Sequence, residues 1–278
     1  MIKAIDLKRF VLGSKIGTSL LSIRDNTNLF QALYESPEKL GTMANDLLAT
    51  ILVTKMCKSN KTFVDIGAHI GSIIARVTKN NPSINIIAIE AIPEKVVKLR
   101  QKFPSAKILP YALGNKEDEV SFFINLNQSG YSSLKKSEKF IDSQIKEITV
   151  SMKKLDTLVS LDDIDVIKID VEGAELQVLQ GASNTIQANR PIVMFESGFE
   201  KIETFNLGKK ALWQLFKNSD YEIYVPNRIA HDNSGLSQES FVESHIYPRR
   251  TTNYFAIPNE RRIEVRDRAR EILDLKIA

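Results

Sequence analysis

The chain alternates between short apolar runs and stretches whose apolar residues recur at helical spacing. The short runs predict strands, because about four to eight consecutive apolar residues bounded by turn residues are typical of a buried strand. The stretches between them predict helices. This alternation predicts β-α-β units, and therefore a parallel sheet with right-handed crossovers. The predicted strands lie at residues 63–66, 85–90, 107–113, 120–124, 148–152, 166–169, 191–195, 221–225 and 253–258.

The first clear helix prediction lies before the first predicted strand. Ser36, Pro37 and Glu38 form a typical helix start, with a capping residue, a proline at the first helical position and an acid in the first turn. Apolar residues then recur at helical spacing as far as Leu52. We expect this helix to pack beside the sheet, either as a structural flank or as a cover over part of the site. Residues 1–35 show no clear period, and further helices are predicted after residue 70, from residue 93, and at 176–181, 208–218 and 261–278.

The first predicted strand runs into a glycine loop, in the sequence T-F-V-D-I-G-A-H-I-G at residues 62–71. Gly67 allows a sharp turn and a close approach of ligand to backbone, and Gly71 allows the following helix to pack close to the strand. The second strand ends at Glu90, about 20 residues after the loop, where a carboxylate can accept hydrogen bonds from both ribose hydroxyls of a nucleoside. These two features predict a nucleoside cofactor.

The charge at the loop narrows the choice of cofactor. The spacing is D-x-G-A-x-x-G rather than G-x-G-x-x-G, and Asp65 stands at the loop entry. A carboxylate there disfavours a bound pyrophosphate and favours a sulfonium or ammonium group. The loop therefore predicts S-adenosylmethionine rather than NAD, since an NAD-dependent oxidoreductase would need the pyrophosphate loop that is missing.

Acidic residues also end the later strands. Asp170 follows the strand that contains Lys168, and Glu196 follows the next strand. Because parallel strands present their carboxyl ends at one edge of a sheet, we expect these acids to share a crevice with Asp65 and Glu90. Such a group of carboxylates needs a cation, a proton or good hydrogen bonds. Lys168 is either a partner for one of them or a lysine at the edge of the sheet.

Six motifs follow one another along the chain, namely V-D-I-G-A-H-I-G (64–71), A-I-E (88–90), Y-A-L-G-N (111–115), S-S-L (132–134), L-D-T-L (155–158) and D-V-I-K-I-D-V-E-G-A-E-L-Q-V-L-Q-G-A (165–182). Over about residues 62–258 this ordered set resembles the FkbM family of class I S-adenosylmethionine-dependent methyltransferases. The resemblance implies an α/β fold, with a Rossmann-like, doubly wound, mostly parallel seven-stranded sheet whose last strand is antiparallel. We divide the chain into an N-terminal helical extension (1–60), the methyltransferase domain (61–258) and a C-terminal helix (259–278).

The resemblance also implies which residues surround the cofactor. For Tyr111, ordinary packing in a strand is an equal alternative, and for Ser132 and Ser133 the alternative is a simple loop. The predicted cofactor-binding residues are Asp65, Gly67, Ala68, His69, Gly71, Glu90, Ala91, Tyr111, Ala112, Ser132, Ser133 and Asp170.

A hydroxyl group that accepts a methyl group benefits from a base that takes its proton. Glu172 and Glu175 lie in the first turn of a predicted helix, where the helix dipole favours acids whatever the function. His231 and His245 lie in a polar stretch between the last two strands, where a histidine is often an ordinary surface residue. A divalent ion held by Asp170 and a neighbouring acid is an alternative activator, but no metal ligand is predicted. The predicted catalytic residues are Asp170, Glu172, Glu196 and His231.

Composition limits the remaining classes of protein. A formal net charge of +4 over 278 residues allows an anionic substrate without indicating nucleic acid. Cys57 is the single cysteine, which excludes an intrachain disulfide and a cysteine-based zinc cluster, and its place before the first strand disfavours a catalytic thiol. No apolar run reaches the roughly 20 residues of a membrane span, and no signal peptide is evident, so a cytoplasmic location is expected.

The resemblance implies transfer of the methyl group of S-adenosylmethionine to an oxygen of a small molecule, sugar or glycan. Methylation of amino groups in nucleic acid is disfavoured, because the chain has no Asn/Asp-Pro-Pro-aromatic motif. Two alternatives stay open, namely a ribose methyltransferase acting on RNA and a module that binds S-adenosylmethionine or another nucleoside without catalysis. The expected partner is a small-molecule or glycan acceptor, neither nucleic acid nor a membrane span is expected, and the oligomeric state is left open.

Overall fold

The computed structural model describes residues 27–126, 132–134, 144–159, 163–198 and 202–275 of the chain. Residues 1–26 of the predicted N-terminal extension and residues 276–278 of the predicted C-terminal helix lie outside the described residues. The strands are β1 (Thr62–Ile66), β2 (Asn85–Ile89), β3 (Lys107–Leu109), β4 (Ala112–Leu113), β5 (Asp118–Asn125), β6 (Ile145–Lys153), β7 (Ile164–Ile169), β8 (Ile192–Glu196), β9 (Tyr221–Tyr224) and β10 (Asn253–Pro258).

Seven strands form the main sheet, in the order β3-β2-β1-β7-β8-β10-β9. The neighbours from β3 to β8 are parallel, and β10 is antiparallel to both β8 and β9. The strand order reverses between β1 and β7, and open α/β sheets bind ligands at such a point, outside the carboxyl ends of the strands. The predicted fold class, with its mostly parallel sheet and antiparallel last strand, is confirmed.

The strands β4, β5 and β6 form a second sheet, in the order β4-β6-β5, with β5 antiparallel to β6. The expectation that residues 120–124 and 148–152 continue the parallel β-α-β alternation was therefore wrong, and the predicted strand at 107–113 is divided between the two sheets. Only residues 114–117 separate β4 from β5. A parallel crossover needs about a dozen residues or more, so β5 cannot return to the main sheet as its next parallel strand.

Helices cover both faces of the main sheet. Successive residues of β1 point to opposite faces, so Phe63 belongs to one core cluster while Val64 and Ile66 belong to the other. The helices are α1 (Leu40–Met56), α2 (Ser72–Asn80), α3 (Pro93–Lys102), α4 (Leu155–Leu158), α5 (Glu175–Gln180), α6 (Ser183–Asn189), α7 (Ile202–Asn218), α8 (Gln238–Glu243) and α9 (Arg262–Ile272), and residues 27–35 are also helical. The first cluster contains residues of α1, α2, α3 and α9, and the second contains residues of α5, α6, α7 and α8.

The helix predicted from Ser36 begins with a 3₁₀ turn at Pro37–Lys39, and α1 follows from Leu40. The Ser36 side chain makes no capping hydrogen bond. Leu52 of α1 and Val265 of α9 are fully buried in the same cluster, so both helices dock on one face of the sheet. Over the part of the chain that the structure describes, no helix combines the length and apolarity needed to cross a membrane.

Asp46 of α1 joins this helix to the start of β10. Its carboxylate accepts hydrogen bonds from the backbone amides of Thr252 and Asn253, at 2.8 and 3.3 Å. The hydroxyl groups of Thr251 and Thr252 donate to it at 2.7 and 2.9 Å, and the Asn253 side-chain amide donates at 3.3 Å. One partly buried carboxylate therefore holds α1 against the sheet.

We predict that Asp46→Ala lowers the free energy of unfolding by about 2–3 kcal/mol, because several donors lose a charged acceptor at once. Urea denaturation monitored by circular dichroism measures this change. Asp46→Asn keeps one acceptor oxygen and should lose less. Asp118→Ala removes an exposed carboxylate that pairs with Lys116, and it should leave the midpoint unchanged. Equal midpoints for Asp46→Ala and the wild-type protein would show that the hydrogen bonds to Asp46 contribute nothing to stability.

Candidate functional site

The turn after β1 is held against the ends of β2 and β7. The Gly67 and Ala68 amides both donate to the Ile89 carbonyl, at 2.9 and 3.1 Å, and the Asp170 amide donates to the Ile66 carbonyl at 3.0 Å. Gly67 has a φ of +78°, and a Cβ atom there would lie 1.8 Å from the Asp170 carbonyl oxygen. Glycine is therefore required for the two loops to approach this closely.

Glu90 follows β2 and is 5% exposed. One carboxylate oxygen accepts a hydrogen bond from the His69 amide at 2.8 Å, and the other accepts one from the Ile92 amide at 2.9 Å. Burial raises the pKa of the Glu90 carboxyl group, and the Asp65 charge adds to this, whereas Lys95 and the two amides oppose it. Each oxygen retains a free lone pair, so an ionised Glu90 can accept hydrogen bonds from two hydroxyl groups in addition to the amides.

Lys168 lies between two carboxylates. It stands directly opposite Asp65 in the pairing of β7 with β1, and its Nζ is 3.2 Å from Asp65 Oδ1 and 3.2 Å from Asp170 Oδ2. Asp65 is 1% exposed and Lys168 is 6% exposed. Burial alone would lower the pKa of Lys168, but the charges of Asp170 and Asp65 raise it above its usual value. Lys168 is therefore a buried partner of these acids rather than a lysine at the sheet edge.

Asp170 and Glu196 form a carboxyl–carboxylate pair. Burial, the Asp170 charge and the hydrogen bond to Asp170 raise the pKa of Glu196 to about 10. Burial alone would also raise the pKa of Asp170, but Lys168 and the hydrogen bond from Glu196 hold it below its ordinary value. At neutral pH, Glu196 is thus protonated and donates a hydrogen bond to an ionised Asp170.

The chain turns sharply after Asp170, with φ values of +54° at Glu172 and +98° at Gly173. Glu172 is partly buried in the wall of a cavity. Burial, followed by the charges of Asp170 and Glu175, raises the pKa of Glu172 to about 7. Glu175 is 5% exposed, and its carboxylate accepts a hydrogen bond from the Gly173 amide at 3.0 Å. Glu175 therefore stabilises the turn, whereas Glu172 has the pKa of an efficient base at neutral pH.

The cavity has a volume of about 330 Å³ and opens at the carboxyl ends of the parallel strands. Glu90 follows β2 and Glu196 ends β8, with β1 and β7 between them. Because neighbouring strands lie about 4.8 Å apart, these two acids stand on opposite sides of the cavity. The predicted site residues that line it are Gly67, Ala68, His69, Glu90, Ala91, Tyr111, Ala112, Ser132, Asp170, Glu172 and Glu196.

Several further lining residues were not predicted from the sequence, among them Thr50 of α1, Lys95 of α3 and Asn253 of β10. No motif marks Thr50 or Asn253. Asn253 stands opposite Glu196 in the pairing of β10 with β8, and Asp46 joins α1, which contains Thr50, to the start of β10. The structure thus shows that α1 covers part of the cavity, which the sequence analysis had left open. Lys95 could have been noticed in the sequence, because it lies in the first turn of a predicted helix, where the helix dipole disfavours a cation.

Four predicted residues are not among those that line the cavity, namely Asp65, Gly71, Ser133 and His231. Asp65 is buried beside Lys168. Gly71 has a φ of +80° at the start of α2, and a Cβ there would lie 2.4 Å from the Phe103 ring. Ser133 exchanges backbone hydrogen bonds with Phe123 at 2.9 and 3.1 Å. These three residues support the elements around the cavity.

His231 is exposed, and its backbone carbonyl accepts a hydrogen bond from Arg262. The fold places it away from the acids, because Arg262 begins the C-terminal helix on one face of the sheet, whereas the acids stand at the strand ends. The structure does not bring His231 to the cavity, so we remove it from the candidate bases.

His245 is buried behind the end of β8. Its Nε2 lies 2.9 Å from Ser197 Oγ, which also accepts a hydrogen bond from Lys209 at 2.8 Å. Its Nδ1 lies 2.7 Å from the Phe241 carbonyl oxygen. Burial, and then the Lys209 charge, lower the pKa of His245 to about 4. A neutral, buried His245 supports the residues that follow Glu196 and does not line the cavity.

Three carboxylate oxygens, one each from Asp170, Glu172 and Glu196, lie within 4.8 Å of one another. This spacing is compatible with a divalent cation, which prefers oxygen ligands. Lys168 and the proton on Glu196 already offset part of the negative charge that a cation would otherwise compensate. We therefore assign no metal to this group.

Residues 65–223 match the model of the Methyltransferase FkbM domain. No match to a curated protein was found. The methyltransferase FkbM of Methylobacillus flagellatus KT is similar, with 16% identity and a TM-score of 0.45 over 84% of this chain and 58% of that protein. This chain thus spans less than two thirds of that protein's length.

Two further solved structures are similar to this chain over nearly the whole of their own length. The plantazolicin methyltransferase BpumL, in complex with SAH, has 12% identity and a TM-score of 0.39 over 92% of this chain and 95% of that chain. Human Methyltransferase-like protein 13, in complex with SAH, has 11% identity and a TM-score of 0.41 over 84% of this chain and 92% of that chain. The family model covers more than half of the chain, from the glycine loop through the turn at Glu172 and Gly173 to β9. The chain therefore belongs to the FkbM methyltransferase family, as its motifs predicted.

Proposed function

We propose that the protein transfers a methyl group from S-adenosylmethionine to a hydroxyl oxygen of a small molecule, sugar or glycan. The observation that carries this proposal is one cavity that contains both Glu90, held by two backbone amides, and the acids Asp170, Glu172 and Glu196. Membership of the FkbM family supports methyl transfer. The choice of oxygen, and of a sugar or small molecule as acceptor, rests on the resemblance to FkbM sequences.

The residues around Glu90 fit an adenosyl group. An ionised Glu90 can accept both ribose hydroxyls, and Ile92, Leu113 and Phe122 give the cavity apolar surface suited to a purine ring. At Gly67 a Cβ would clash with the Asp170 carbonyl oxygen. Glycine therefore allows the loop to keep the position in which its backbone lines the cavity. Two carboxylates surround the single charge of Lys168, so this part of the site does not repel a sulfonium.

The acids on the other side of the cavity fit a hydroxyl acceptor. When bound, S-adenosylmethionine supplies an electrophilic methyl group and leaves as S-adenosylhomocysteine. The protein must hold the acceptor oxygen in line and remove its proton. We assign Glu172 as the base, because its pKa of about 7 leaves it substantially ionised at neutral pH. The proton of Glu196 is used in its hydrogen bond to Asp170, so ionised Asp170 is the group that can accept a hydrogen bond from a second hydroxyl group of the acceptor and orient it.

We predict that Glu90→Ala weakens binding of S-adenosylhomocysteine about 10- to 100-fold, because hydrogen bonds to a charged group contribute about 1.5–3 kcal/mol. Isothermal titration calorimetry measures this, with NAD as a ligand that should not bind. Glu119→Ala removes an exposed acid of β5 and serves as the control. Wild-type affinity in Glu90→Ala would contradict the assignment of the nucleoside site, and tight binding of NAD would contradict the assignment of the cofactor.

Formation of S-adenosylhomocysteine with a panel of monosaccharides, oligosaccharides and phenols tests the reaction itself. We expect kcat on an accepted substrate to rise as pH increases through about 7, because Glu172 takes a proton only when it is ionised. Glu172→Gln should remove this rise and lower kcat by about 100-fold or more, with unchanged affinity for S-adenosylhomocysteine.

Two controls accompany this measurement. EDTA should leave the rate unchanged, since no metal is assigned to the acids. The same pH profile in Glu172→Gln and the wild-type protein would rule out Glu172 as the base. Binding of S-adenosylhomocysteine without turnover on any hydroxylated acceptor would favour a binding module over an enzyme.

A further inference from the structure

Asn253 is the first residue of β10 and lines the cavity on the side of the acids. It stands directly opposite Glu196 in the antiparallel pairing of β10 with β8. Directly opposite residues of such a pair project their side chains from the same face of the sheet, with Cβ atoms about 4.5–5.5 Å apart. The Asn253 side chain therefore lies beside Glu196, next to the acids to which we assign the methyl acceptor.

The orientation of the Asn253 amide group is set by two acceptors. Its Nδ2 donates to Asp46 Oδ1 at 3.3 Å and to Thr252 Oγ1 at 3.0 Å. A carboxylate oxygen only accepts, and the Thr252 hydroxyl group already donates its proton to Asp46 Oδ2 at 2.9 Å. Turning the amide by 180° would place Oδ1 against these two acceptors. The amide nitrogen is therefore held on the side of Asp46 and Thr252.

The amide oxygen of Asn253 remains available. Within the part of the chain that the structure describes, both hydrogen bonds of this side chain use Nδ2 and neither uses Oδ1. Asn253 is partly exposed in the cavity wall. An amide oxygen accepts hydrogen bonds and donates none, so it fits an O–H or N–H group of a ligand.

We propose that Asn253 determines the specificity for the methyl acceptor, because its Oδ1 accepts a hydrogen bond from a hydroxyl group of that molecule other than the one that is methylated. Asp46 and Thr252 are positioning residues, since they hold the amide with its oxygen free. This inference rests on the proposed function, in which Glu172 takes the proton of the methylated hydroxyl group. The preferred acceptor is therefore polyhydroxylated, as a monosaccharide is, and a molecule with a single hydroxyl group binds more weakly.

The test is the binding of the methyl glycosides of glucose, galactose, mannose and fucose to the protein saturated with S-adenosylhomocysteine, measured by isothermal titration calorimetry. Each glycoside is compared with its monodeoxy analogues. For the wild-type protein, at least one analogue should bind about 3- to 10-fold more weakly than its parent, because the hydroxyl group that donates to Asn253 is missing. Asn253→Ala should weaken binding of the parent by the same factor, and should bind the parent and that analogue equally.

Two further variants separate direct contact from a structural role. Asn115→Ala makes the same change at an exposed asparagine that does not line the cavity, and it should discriminate as the wild-type protein does. Asp46→Asn allows the Asn253 amide to turn, so it should reduce the discrimination while the affinity for the deoxy analogue stays unchanged. If Asn253→Ala weakens binding of the parent and of every analogue by one factor, the role is structural and the proposal is overturned. Absence of binding by all the glycosides would also overturn it, whatever the affinity for S-adenosylhomocysteine.

The ligand-free protein provides a measurement that does not depend on the proposed function. In NMR spectra of ¹⁵N-labelled protein, the side-chain N–H signals of Asn253 are assigned by their absence in Asn253→Ala. Both protons should exchange with water more slowly than those of exposed Asn115, because both are hydrogen-bonded, and Asp46→Asn should speed the exchange. Exchange as fast as that of Asn115 would overturn the inference even if glycosides bind. Slow exchange in a protein that does not bind S-adenosylhomocysteine would support the positioning of Asn253 while contradicting the proposed function.

Discussion

The buried ammonium group of Lys168 is the interaction on which the rest of the site depends. It joins Asp65 at the end of β1 to Asp170 at the end of β7, across the point where the strand order reverses. An unpaired charge at this depth would cost several kcal/mol, on the order of the stability of a whole domain. The two carboxylates and the lysine therefore have to be present together. Their pairing explains why an apolar strand contains a lysine between Ile167 and Ile169.

This pairing also brings the two functional loops together. With β1 and β7 in register, Gly67 meets the backbone of Asp170 so closely that a Cβ could not fit. After β7 and at the end of β8, Asp170 is ionised, Glu196 is protonated and the pKa of Glu172 is about 7. Three acids in similar positions thus differ in protonation because their neighbours differ. In the proposed reaction, Glu172 would be the base, and the hydrogen-bonded pair of protonated Glu196 and ionised Asp170 would lie beside it.

The cavity is completed by parts of the chain that lie far from the loops in sequence. The second sheet contributes apolar residues such as Phe122, and α1 contributes Thr50. Asp46 holds α1 in place by hydrogen bonds to the first residues of β10, about 200 residues away in sequence. The helix that precedes the family's motifs therefore shapes the cavity, although none of those motifs refers to it.

The main sheet and the acids of the loops were predictable from the sequence, because both depend on local patterns. Apolar runs, glycine loops and strand-end acids such as Glu90 and Asp170 can be identified directly in the sequence. In any parallel sheet the carboxyl ends of the strands lie at the same edge. The folded structure shows which of the candidate residues meet in the cavity. It placed His231 outside, moved residues 118–125 and 145–153 into a second sheet, and brought Thr50, Lys95 and Asn253 to the wall. These outcomes depend on burial and on contacts between distant segments of the chain, and neither leaves a local pattern in the sequence.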